Sequence, residues 1–125
     1  MQKQDIQNRG DLELLVNRFY DKVKVDPLIG FFFSEIVPVN WEAHLPVMYN
    51  FWESIAFGTG PYRGEPMSAH LRLNGKHKME PEHFARWLSL FHGTIDELFS
   101  GAKAEEIKMR SASIARIMEF KVQQG

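Results

Sequence analysis

Five histidines carry most of the chemistry open to this sequence: His44, His70, His77, His83 and His92. An imidazole can bind a metal, move a proton near neutral pH, or donate and accept hydrogen bonds, and its surroundings decide which. His77 lies in the polar run NGKHK and reads as solvated. His83 falls in the first turn of a helix, where the dipole disfavours a cation, and reads as a surface residue. His92 follows Phe91 and reads as an edge-of-core residue. His44 and His70 differ from these three. Each sits among apolar neighbours, in WEAHLPVMYNFW and AHLRL, on segments 26 positions apart.

Two segments joined by a glycine-rich loop can present two imidazoles across a slot. Phe31, Phe32, Phe33, Trp52, Trp87 and Phe91 could line such a slot, and a planar macrocycle would suit it. Haem asks for this set: one neutral imidazole for iron, an apolar cage and a few hydrogen-bond donors opposite. An ordinary aromatic core accounts for the same spacing equally well. The remaining chemistry is excluded more firmly. There is no HExxH, no Walker loop, no dinucleotide fingerprint and no nucleophile elbow. Glu105 and Glu106 are adjacent, so they diverge on a helix. The chain has no cysteine, which rules out disulfides, zinc fingers, cysteine-held iron–sulfur clusters and thiol catalysis.

The 125 residues suit a single domain, 1–125, with 1–10 expected as a loose extension. Fifteen basic side chains balance sixteen acidic ones without a long basic run, so no nucleic-acid partner is expected. MQKQDIQNRGDLEL lacks the apolar centre of a signal peptide, and no 18-residue apolar run occurs. The expectation is a cytoplasmic chain that does not engage a membrane.

Helical periodicity dominates, and the fold class reads as all-α. Leu12, Leu15, Val16, Phe19 and Val23 share a face, with Asp11 as N-cap and Asp26-Pro27 as the stop. LIGFFF and the loop SEIVPVN follow, ending on Asn40 as a second cap. The next helix runs to about Phe57. Because a residue before proline avoids the α region, its regular part is predicted to begin at Pro46, leaving His44 in a looser turn. GTGPYRGEP is turn chemistry, and a short helix is predicted from Pro66 through His70 to Asn74-Gly75. Glu80-Pro81 starts a helix whose Phe84, Trp87, Leu88, Phe91, Ile95 and Leu98 share a face, and Gly101 ends it. The last helix covers about Lys103 to Val122, with Ile107, Ile114, Ile117 and Met118 inward.

Six of these stretches, in order, resemble the third group of the truncated haemoglobins: FYDKV, WEAH, NFW, GPYRGEP, AHLRL and RWLSLF. The resemblance runs from about residue 12 to 120. It implies a two-over-two helical sandwich enclosing haem b (iron protoporphyrin IX). It also implies that His70 is the proximal ligand to a pentacoordinate iron. Tyr20, His44 and Trp87 take the distal positions, and Met48 faces the ligand one turn after His44. Phe32 or Phe33 wedges the haem, while Trp52 and Phe91 line its cage. Pro46, so close after His44, predicts that this imidazole swings outward as a gate. Trp87 also lies on the core stripe of its helix and would be buried in any fold.

The implied ligands are O2, NO, CO or peroxide, with a reductase as a further partner. Tyr20 and Trp87 each offer a donor, and a hydrogen bond to a charged acceptor is worth roughly 1.5–3 kcal/mol. Two such bonds would slow oxygen release by about a hundredfold or more. That favours redox chemistry, such as NO detoxification or peroxide activation, over simple oxygen storage or transport. A helical interaction module without haem is the third reading.

Overall fold

The computed structural model describes residues 3–36, 40–60 and 78–124. Among these residues four α-helices follow in order: α1 (Arg9–Lys24), α2 (Trp41–Phe57), α3 (Pro81–Leu98) and α4 (Ala102–Gln124). A π-helical turn, Phe32–Ile36, lies between α1 and α2. α1 packs on α2 and on α3, and α4 packs on α3 and on α2, so one pair of helices lies over the other. The loop GPYRGEP, the short helix predicted from Pro66, and with them His70 and His77, lie outside the described residues.

The apolar stripe of α1 dictates its place. Leu12, Leu15, Val16 and Val23 have no exposed surface, and Phe19 and Tyr20 are nearly as buried. The cap is Asn8 rather than Asp11: the Asn8 side chain accepts the Asp11 N–H, and the Asp11 carboxylate accepts the Gln7 N–H. The Asn8 side chain thus satisfies an orphan donor of the first turn, while Asp11, inside that turn, holds the chain just ahead of the cap. α2 likewise starts five residues ahead of the expected Pro46. Asn40 accepts from Ala43, and the His44 N–H reaches the Asn40 carbonyl at 2.9 Å. Pro46 therefore stands inside the helix and removes only its own ladder bond, so capping outweighs the pre-proline preference.

Two glycines are dictated by geometry. Gly58 closes α2 in the left-handed region at φ 69°, giving its N–H to the Ser54 carbonyl. Gly30 passes so close to the end of α1 that a Cβ would stand 2.8 Å from the Val23 carbonyl oxygen. That approach is held by Asp26, whose buried carboxylate accepts the Leu28 and Ile29 N–H groups at 3.0 Å and pairs with Arg86 of α3 at 2.7 Å.

Within the segment expected as a loose extension, residues 3–10 are described and Asp5 and Ile6 are pinned. Ile6 is buried, and the Asp5 carboxylate accepts the Lys103 and Ala104 N–H groups at 2.8 Å, capping α4 from the other end of the chain. Asp5→Ala should therefore cost about 1–2 kcal/mol, the usual value of an N-cap, read as a shift in urea midpoint. A full-length chain unmoved by that change would show the cap to be idle.

Burial raises the Asp5 and Asp26 carboxyls, but hydrogen bonds outweigh it and both lie below the usual 3.8. The bonds come from backbone N–H groups in each case, joined for Asp26 by the Arg86 guanidinium. A carboxyl lowered by folding contributes stability above its unfolded value and loses it as pH falls through the folded one. Stability should thus drop below about pH 4, and Asp26→Asn should narrow the difference in urea midpoint between pH 7 and pH 3. An unchanged difference would remove Asp26 from the acid response.

Two expectations about side chains fail. Ile117 is half exposed, because the inward face of α4 is Ala104, Ile107, Ser111, Ala115, Met118 and Val122. His83 is buried rather than on the surface. It closes the capping box of α3, its Nδ1 accepting the Glu80 N–H at 2.8 Å, with Phe32 edge-on at 5.0 Å. Accepting at Nδ1 keeps the ring proton on Nε2, which removes the conflict with the helix dipole that had argued for exposure.

Candidate functional site

The aromatic side chains of α1, the π turn, α2 and α3 meet in one continuous cluster. Its polar focus is Tyr20, late in α1, and His44, one turn into α2. The Tyr20 hydroxyl and His44 Nε2 are 3.4 Å apart, at the long limit of a hydrogen bond, with the donor set by the imidazole tautomer. The two residues so identified by resemblance are thus brought together, and His44 faces inward. The outward swing expected from Pro46 does not occur, since α2 is already regular at His44.

Around this pair stand Trp41 and Phe33. Trp41 lies 5.1 Å from the Tyr20 ring and 5.7 Å from the His44 ring. Phe33 sits edge-on to Tyr20 at 5.9 Å and stacks on Trp41. Neighbouring Phe32 turns the other way, to Phe31 and His83. The π turn is what parts them, so Phe33 accompanies the polar pair and Phe32 anchors the start of α3. Burial pushes the Tyr20 phenol well above its ordinary range, so it stays protonated and able to donate.

Trp87 stands in a second arm of the cluster. It stacks on Phe91 at 5.4 Å, and Phe91 in turn stacks on Trp52 at 4.6 Å. Phe19 touches both arms, with ring contacts to Tyr20, Trp87 and Phe91. Trp52 and Phe91 are fully buried, while Trp87 and Met48 are half-buried against the same core. Trp41 is the neighbour that spacing did not single out, although it precedes His44 by three positions and so shares its helical face.

Two further arrangements can be set aside. His92 Nε2 lies 3.0 Å from Ser111 Oγ, which resembles a nucleophile and its base. Ser111 is fully buried, however, and gives its proton to the Lys108 carbonyl, so the pair staples α3 to α4. No cluster of three histidine, aspartate or glutamate side chains able to hold a bare metal ion occurs among the described residues. No helix among them is long and apolar enough to cross a membrane.

No family model matches the chain. A curated relative, the group 3 truncated hemoglobin of Campylobacter jejuni, is 29% identical over 111 residues, 86% of this chain and 85% of its own. The crystal structure of group III truncated hemoglobin from Campylobacter jejuni aligns with a TM-score of 0.84 at 28% identity, covering 96% of this chain and 94% of its own. Likeness of sequence and likeness of architecture therefore agree over most of both chains: this protein has the truncated globin fold, in the form carried by the group III truncated haemoglobins.

Proposed function

We propose that this chain is a haem-binding globin, holding haem b through His70 and taking up dioxygen and other diatomic ligands. Its retention of O2 is tight enough to suit redox chemistry, such as NO detoxification or peroxide activation, with a separate reductase returning the electron. The observation that carries this reading is the Tyr20–His44 pair: two polar atoms 3.4 Å apart inside an aromatic wall, in a chain with a globin fold. The donor set fits haem, which needs hydrogen-bonding groups on one face and apolar rings elsewhere.

When bound, haem would supply an iron that takes a diatomic ligand and exchanges electrons with it. The chain's residues do the rest. Tyr20 keeps its proton and donates a hydrogen bond through it to a small polar ligand. His44 Nε2 accepts from Tyr20 or donates beside it, according to tautomer, and the length of their contact leaves Tyr20 easily redirected. Phe33 and Trp41 pack against Tyr20 and keep its hydroxyl from water, and Trp52 and Phe91 give the core its stacked aromatic floor. Met48 and the Trp87 indole are assigned to the same ligand-facing lining, and Phe33 rather than Phe32 to the haem wedge.

The test is the visible absorption spectrum of the purified chain titrated with haem, then reduced, then placed under carbon monoxide. A Soret band that saturates at one haem per chain and shifts with carbon monoxide is expected. A folded chain that stays colourless would overturn the proposal.

A further inference from the structure

Trp41 packs at the rim of the aromatic core. It is the first residue of α2, half-buried, with its ring against both members of the polar pair. Over that ring lies Lys24 Nζ, 4.5 Å from the centroid, from the exposed end of α1. A cation held over an indole is an attractive contact whose strength depends on the ring staying put.

The turn that carries Trp41 is also an end of α2, held by its cap and not by a full bond ladder. Its first N–H groups have no ladder partners by position. The Ala43 and His44 N–H groups reach the Asn40 carbonyl at 3.1 and 2.9 Å, and the side-chain part of the cap is a long 3.4 Å contact from Ala43. Pro46 has no N–H to give to the Glu42 carbonyl, so the turn also lacks one of its returning bonds. Local opening draws on such sparsely bonded ends while the rest of the fold stays closed.

We propose that Trp41 is a shutter over the Tyr20–His44 pair, hinged on the first turn of α2 and latched shut by Lys24. It is a positioning residue: closed, it keeps water from the pair and holds both rings; open, it is a way in for a small ligand. The inference deepens the haem-globin reading and rests on it for the identity of the ligand, but the shutter itself is a property of the chain alone.

Two rates test it in Lys24→Met, an exposed substitution that keeps the side-chain stem and removes the charge. One is the initial rate of Tyr20 acetylation by N-acetylimidazole in the purified chain, mapped by mass spectrometry with Tyr49 as internal control. The other is carbon monoxide association after flash photolysis of the haem-loaded chain. Loss of a cation–π latch at a half-exposed ring should raise both by about two- to fivefold, with Tyr49 unmoved. Trp41→Ala should exceed that in both. Unchanged Tyr20 acetylation in Lys24→Met and Trp41→Ala overturns the shutter. If the chain takes up no haem, the proposed function falls, and faster acetylation of Tyr20 alone still establishes the shutter.

Discussion

Tyr20→Phe should speed dioxygen release from the haem-loaded chain by roughly ten- to a hundredfold. The substitution keeps the ring that packs on Phe19, Trp41 and Phe33 and removes only the hydroxyl. That hydroxyl stays protonated because burial opposes the phenolate. A neutral donor facing a ligand that carries negative charge is worth roughly 1.5–3 kcal/mol, and 1.4 kcal/mol is tenfold in rate. The existing contact to His44 subtracts little, since a bond of 3.4 Å is weak and gives way readily to a better acceptor. Stopped-flow displacement of O2 by carbon monoxide measures the rate. Release as slow in the variant as in the native chain would mean that Tyr20 does not touch the ligand.

His70→Ala should have the larger effect on the cofactor itself. An imidazole that binds iron contributes a coordinate bond, and its second ring nitrogen usually holds a partner that fixes the ring. Loss of such an outer partner alone typically costs 10–100-fold in affinity, so loss of the ligand should cost more. Burial would still attract the porphyrin to the aromatic cluster, so the expected result is a weak complex with an altered Soret band. Added free imidazole should restore the native spectrum. A variant whose spectrum and haem affinity match the native chain would move the axial role to another residue.

The elements that could be read from the chain were those written in local spacing. Leu12 to Val23 repeat at helical intervals, and the stripe they form is the buried face of α1. Asn40 is a cap by residue type alone, and Pro81 opens α3 where Glu80-Pro81 suggested. The pairing of Tyr20 with His44 was legible only through resemblance, because neither their separation of 24 positions nor the composition between them fixes a distance. Phe32 and Phe33 could not be told apart, since a register by one residue is decided by the π turn.

What sequence determined by itself is the all-α class, the helix faces and the polar residues available to a pocket, because these depend on neighbours within a turn or two. Tertiary structure decided the rest. His83 is buried because Phe32 lies against it, and α4 is capped by an aspartate 98 positions away. His44 faces inward because capping and aromatic contacts outweigh the local preference imposed by Pro46. Trp41 covers the pair because α1 brings Tyr20 and Lys24 to it. Such choices are made by contacts between helices, whose energies exceed the local propensities that a reading of neighbours can weigh.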